Sequence, residues 1–89
     1  MKAIVTVVGM DRVGIIASVC NQLAQYNINV LDIRQTVMQD YFTMMMVVDI
    51  SNANQPLAQI SMQMEETGKE SNLSVRVQRE DIFQAMHRV

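Results

Sequence analysis

Tryptophan is absent from the 89 residues, cysteine, proline and histidine occur once each, and glycine occurs three times. Each scarcity excludes something. A single cysteine, Cys20, cannot close an internal disulfide, so the chain is not a disulfide scaffold. One thiol among apolar neighbours fits a reducing compartment, and the cytoplasm is the expected location. So little glycine and proline excludes a collagen-like chain, and a hydrophobic fraction of 49% excludes a disordered tail. Positive charge is not in excess: seven Lys and Arg face nine Asp and Glu, a formal charge of −2. A nucleic-acid binder would carry a basic stripe, so no nucleic-acid partner is expected. The longest run without formal charge, Val13 to Leu31, could span a bilayer. It contains Asn21, Gln22, Gln25, Asn27 and Asn29, however, each of which would need a partner in lipid. A signal peptide fails because Asp11 and Arg12 interrupt the apolar run that begins at Ala3. No membrane partner is expected.

What is present is aliphatic and rich in methionine: nine Met, three of them consecutive at Met44, Met45 and Met46. Lys2 to Val8 is β-branched and apolar on both faces and reads as a central strand ending at Gly9. Ile15, Ile16, Val19, Leu23 and Tyr26 then recur at spacings of three and four, an amphipathic helix that Asn27 can end in a left-handed conformation. Ile28 to Gln39 reads as a long strand with Leu31, Ile33 and Val37 on one face and Asp32 and Arg34 on the other. Gln39-Asp40-Tyr41 supplies a turn, and Phe42 to Ile50 follows as a strand with Phe42, Met44, Met46, Val48 and Ile50 on one face. Met45 and Val47 leave its second face apolar as well.

Pro56 suits a first helical position, and Leu57, Ile60 and Met64 mark a second helix. This helix either stops at Gly68 or tolerates it, at about 1 kcal/mol, and continues to Ser71. Leu73, Val75 and Val77 alternate with Ser74, Arg76 and Gln78, a half-buried strand. Asp81 and Gln84 have the spacing of a capping box for a short terminal helix carrying Ile82, Phe83 and Met86. The whole is one domain, residues 1–89, of the α+β class: a ferredoxin-like βαββαβ sandwich with a four-stranded antiparallel sheet and a short C-terminal helix. The first and third strands are central. With both helices on one side, the second sheet face needs a cover, either the terminal helix or a second subunit.

The fold alone does not choose a function. RNA readers of this fold stack bases on aromatics of the central strands, and the first strand here has none. Metal chaperones place paired thiolates in the first loop, which has none, and Cys20 lies on the helix stripe as a core residue. His87 has no second ligand near it, so neither a metal nor a cofactor is expected. No nucleophile–base pair suggests an enzyme. Gly9 to Gly14 has the outer spacing of a Walker loop, yet Ile15 and Ile16 stand where Lys and Ser or Thr are required.

The loop Gly9-Met10-Asp11-Arg12-Val13-Gly14 remains. It joins a central strand to a helix N-terminus, whose free N–H groups favour an anion such as a carboxylate. Asp11 adds a negative charge beside it, and Gly14 lets a ligand approach the backbone. Together they suit a zwitterion, with Asp11 for the ammonium. The competing reading is that Asp11 only caps the helix while the glycines shape the turn.

The run Gly9-Met10-Asp11-Arg12-Val13-Gly14-Ile15-Ile16-Ala17, with Ile28-Asn29-Val30 after the helix, resembles the signature of ACT domains, regulatory modules often fused to enzymes of amino-acid metabolism. The ending Glu80 to Val89 resembles more narrowly the stand-alone ACT proteins of the UPF0237 family, and more distantly the glycine cleavage system transcriptional repressor. The resemblance implies a homodimer whose sheets join at the second strands, with an amino acid bound between subunits. It places Asp11, Arg12, Val13 and Gly14 in the ligand site, and brings in Asn29 from the start of the second strand. Arg12 would meet the ligand carboxylate or, preferably, a neighbouring acid. Asn29 is otherwise simply a polar residue at a strand start. Many ACT loops have Pro where Val13 stands, so this loop is less preorganised and its ligand weaker. Ligand binding would be read by a protein partner that the sequence does not identify. The alternative function is a ligand-free interaction module using the Met-rich sheet face.

Overall fold

Strand β1, Lys2–Met10, is flanked on both sides by partners and buries Ala3, Val5 and Val7 completely. The computed structural model describes residues 1–10 and 13–81. After β1 come α1 (Ile15–Gln25), β2 (Asn29–Met38), β3 (Tyr41–Asp49), α2 (Leu57–Glu70) and β4 (Leu73–Arg79). The sheet order is β2-β3-β1-β4 and all three pairings are antiparallel, so β1 and β3 are central as expected. The expected terminal helix with Ile82, Phe83, Gln84 and Met86, and His87 with it, lies outside the described residues.

The core lies between the sheet and the two helices. Alternation sends Phe42, Met44, Met46 and Val48 of β3 into it, opposite Ile15, Val19 and Leu23 of α1 and Ile60 and Met64 of α2. Met44 and Met46 have no exposed surface, and their unbranched side chains fill the space between the sheet and the two helices. Cys20 is half-buried and packs against this cluster, in keeping with the helix stripe.

Both helices end on asparagine. Asn27 has φ +60°, its N–H reaches the Ala24 carbonyl at 3.0 Å, and the Ile28 N–H reaches Leu23 at 3.1 Å. Those two bonds, with Leu23 and Ile28 both buried, make a Schellman stop. Asn72, at φ +59°, ends α2 in the same way through a 3.1 Å bond to Lys69. The loop before α2 is fastened to the first stop: Asn54 donates its backbone N–H to the Tyr26 carbonyl and its side-chain amide to that of Gln25, while the Asn27 amide donates to Asn52.

Several boundaries differ from the sequence reading. β1 does not end at Gly9, because Gly9 still pairs with Phe42 and Leu73, and Met10 with Tyr41. Tyr41 belongs to β3, so the turn is Gln39-Asp40 alone. Pro56 is the N-cap, with extended ψ of 144°, rather than the first helical residue. α2 passes through Gly68 and stops at Glu70. There Gly68 is needed for contact: a Cβ on it would lie 2.6 Å from Val75 Cγ2 and 3.0 Å from the Leu73 carbonyl oxygen.

The grouping of Leu31 with Ile33 and Val37 fails for a definite reason. Val30 pairs with Val48 and Asp32 with Val47, so Leu31 is an extra, bulged residue. Val30 and Ile33 consequently both pack against the core, three residues apart, and Leu31 turns to solvent.

The second face of the sheet is graded. Ile4 is buried although it is not part of the core cluster, and Val47 beside it is half-buried. Toward the other end Val8, Met10 and Met45 are exposed.

Candidate functional site

The junction of β1 and α1 is the first candidate. Gly14 is the N-cap of α1, with φ +90°, and its carbonyl takes the first helical bond from Ser18 at 2.9 Å. That φ is one only glycine adopts without cost. A Cβ on Gly14 would meet no atom of the described residues within 4 Å. Among the described residues no side chain caps the helix, and its first turn carries no acidic residue. The leading N–H groups of a helix have no partner within it, which makes such an end a donor set for an anion. Gly14 holds the N-cap position, and Asp11, the capping residue of the competing reading, lies outside the described residues.

Two depressions adjoin this cap. One, of about 390 Å³, is lined by Gly14, Ile15, Ile16, Ala17 and Phe42. The other, of about 240 Å³, is lined by Val13, Gly14, Ile15, Ser18, Ser71 and Leu73. Val13 is fully exposed and Gly14 exposed, so both sequence-derived residues are accessible. Asp11 and Arg12 lie outside the described residues. Among the described residues the lining holds the hydroxyls of Ser18 and Ser71 and no imidazole, thiol or carboxylate.

Asn29 is not part of this junction. It opens β2, where it pairs with Asp49, and Asp49 pairs with Lys2. Gly14 follows the other end of β1, where Met10 pairs with Tyr41. Eight residue steps separate those two ends, roughly 26 Å of strand. Within one chain Asn29 and Gly14 cannot touch the same small molecule. Asn29 instead shares a depression of about 290 Å³ with Ala24, Asn27, Ile28 and Asn52.

That lower end also holds Asp49. Asp49 accepts the Ser51 N–H at 2.9 Å, with the Met1 amino group 3.8 Å away, and the hydrogen bonds from Ser51 hold its carboxyl below the usual value.

A family model described as ACT domain matches residues 2–78. The chain belongs to the ACT domain family. Its relatives bear the narrower name. A UPF0237 protein of Bifidobacterium longum is 51% identical over 88 residues, covering 99% of this chain and 98% of that one. Another, of Clostridium acetobutylicum, is 48% identical over the full length of both. Among solved structures, an ACT domain protein from Streptococcus pneumoniae superposes with a TM-score of 0.82 at 42% identity, covering 98% of each chain. A structure described as a glycine cleavage system transcriptional repressor matches at 25% identity and a TM-score of 0.73. That match takes in 88% of this chain but only 44% of the other.

In this ACT domain the sequence reading missed the apolar floor of the first depression, Ile16, Ala17 and Phe42, and the amides of Asn27 and Asn52 around Asn29. The run Asn27-Ile28-Asn29 carried a signal, because two amides two residues apart flank a helix stop. Asn52 lies in a distant loop, and only the fold brings it there. Among the described residues no group of three His, Cys, Asp or Glu side chains is placed to hold a metal ion, and no helix is long and apolar enough to cross a membrane.

Proposed function

We propose that this ACT domain is a cytoplasmic regulatory module that binds an amino acid, or a similar small zwitterion, at a homodimer interface and signals its presence to a partner protein. The carrying observation is the separation of its two polar sites. The uncapped end of α1 at Gly14 offers backbone donors for a carboxylate, while the Asn29 amide stands at the far end of the sheet. A two-fold relation between copies is the economical way to bring one end of each chain to the other end of its partner. In that arrangement Asp11 faces the ammonium group, Gly14 presents the backbone, Asn29 comes from the second chain, and Arg12 pairs with a neighbouring acid rather than the ligand. Val13 leaves the loop less constrained than a proline would, which lowers affinity through the ordering required on binding. Signalling follows from differential affinity: a ligand that contacts both chains favours the closed dimer, and a partner can read that state.

Calorimetry with the twenty amino acids tests this. At least one binds, and Asp11→Ala and Asn29→Ala each weaken it. If none binds at millimolar concentration the proposal is lost.

A second reading is favoured by the exposed Val8, Met10 and Met45 on the open sheet face: a ligand-free module that meets its partner there. Met45→Glu then abolishes assembly while the isolated chain stays folded.

A further inference from the structure

The open face of the sheet is shielded at one end and bare at the other. β1 and β3 are both central, so their outward side chains have neighbours on either flank. Flanking side chains stand side by side, roughly perpendicular to the sheet, and leave one another's tips to the solvent. Val8 and Met45 follow that rule, at 40% and 38% exposed. Ile4 does not. It stands between Val47 and Gln78, two outward rows from Val8 on the same strand, and is only 5% exposed. Val47, Gln78 and Thr6 around it are half-buried, whereas Lys2, before it on the same face, is exposed. Asp32, which pairs with Val47 from β2, is exposed as well. The shielded area thus spans β4, β1 and β3 and stops short of β2.

Both α1 and α2 pack on the opposite face, with the core. Ile4 is buried in a single chain, so a second copy is not what shields it. Two stretches of the chain lie outside the described residues. Residues 11–12 follow Met10, at the far end of β1 from Ile4. Residues 82–89 follow β4, which runs antiparallel to β1 and brings Arg79 opposite Ala3, next to Ile4. The backbone turns helical at once, at Glu80 and Asp81, ahead of the cap position that the spacing gives Asp81. On the core side of β4 there is no room for it, because α2 packs there so closely that a Cβ on Gly68 would collide with Val75. The open face is the apolar surface within reach.

We propose that residues 82–89 continue this helix across the open face, with Phe83 seated on Ile4 and Met86 on Val47, and build a second, smaller core there. The dimensions agree. Ile82, Phe83 and Met86 share one side of a helix. From Phe83 to Met86 a helix advances about 4.5 Å, close to the strand spacing of about 4.8 Å, so consecutive anchors fall on consecutive strands. A helix from Glu80 to Val89 is about 15 Å long. That carries it from β4 over β1 and β3 and no farther than β2, where Asp32 is exposed. The proposal is independent of the ligand. It confines the surface of the second reading to the Met10 end, where Val8 and Met45 remain open to a partner, and assigns the Ile4 end to the chain itself.

Because the chain has no tryptophan, Phe83→Trp in the full chain places a single reporter in the segment. In the native protein its fluorescence is blue-shifted and shielded from acrylamide, and both properties are lost in urea together with the circular dichroism. Dilution leaves them unchanged. Urea denaturation supplies an independent measurement. Ile4→Ala and Phe83→Ala each lower the midpoint, and the double variant loses less than the sum of the two, whereas Val8→Ala and Phe83→Ala add. An indole quenched as readily in the native chain as in urea overturns the proposal, as does strict additivity of Ile4→Ala with Phe83→Ala. Shielding that disappears on dilution while the circular dichroism stays native overturns it too, and makes a second copy the cover.

Discussion

Replacing Gly68 by alanine sets two opposite effects against each other, and the structure says which prevails. Gly68 lies inside α2 with ordinary negative φ, so alanine gains helix propensity of about 1 kcal/mol. Against that gain, the new Cβ would sit 2.6 Å from Val75 Cγ2, 3.0 Å from the Leu73 carbonyl oxygen and 3.2 Å from Val75 Cβ. Rotating Val75 cannot relieve all three, because two of the atoms are fixed to the β4 backbone. α2 must therefore lift from β4, loosening the packing of Ile60 and Met64. Overpacking of this kind costs about 1–3 kcal/mol. The expected balance is a loss of about 1 kcal/mol, or some 4–8 °C in melting temperature for a domain of this size. Urea denaturation measures it. Val75→Ala supplies the control: combined with Gly68→Ala it gives a loss smaller than the sum of the two, since the obstructing methyl groups are gone. Gly68→Ala at or above the stability of the parent, or strict additivity with Val75→Ala, refutes the steric account.

Tyr26→Phe removes a hydroxyl that donates to Gln63 Oε1 at 2.7 Å and accepts from Gln22 at 3.3 Å, bridging the helices. Both glutamines are open enough to recruit water, so the urea midpoint falls by the equivalent of about 0.5–1.5 kcal/mol and no more. Asp49→Asn addresses acid stability. A carboxyl whose folded pKa lies below its ordinary 3.8 stabilises the fold fully above that value and ceases to do so as pH falls through the folded value. The parent chain should therefore lose more melting temperature than the variant on acidification from neutral pH into that range. Equal losses would show that the Ser51 hydrogen bonds to Asp49 do not persist in solution.

The parts of this molecule that periodicity governs were readable from the residues. Alternation through Phe42, Met44, Met46 and Val48 set both the strand and its buried face. The helix stripe ending at Tyr26 set the stop, since Asn27 tolerates positive φ. The parts governed by a single exception were not. One bulged residue, Leu31, reverses the inward set at the start of β2, and nothing in Val30-Leu31-Asp32-Ile33 marks which of them is extra. Gly68 read as a possible terminator because its reason is a neighbouring strand, and that contact exists only after folding. For the site, Gly14 was legible from its place before an apolar stripe. The distance between Gly14 and Asn29 was not, because chain order says little about which end of a sheet a loop leaves.

One property of α1 bears on how the protein could be regulated. No side chain from Val13 to Leu31 carries a formal charge, so the helix that frames the Gly14 cap has no ionised group of its own to titrate near neutrality. Its polar surface, Ser18, Asn21, Gln22 and Gln25, is made of hydroxyls and amides, and its tie to α2 runs from Gln22 through Tyr26 and Thr67 to Gln63. Such a frame holds its shape through changes of acidity and ionic strength that would rearrange a helix fastened by ion pairs. The helix itself is electrically quiet, and the formal charge nearest to it in the chain is that of Asp11 and Arg12, just before Val13.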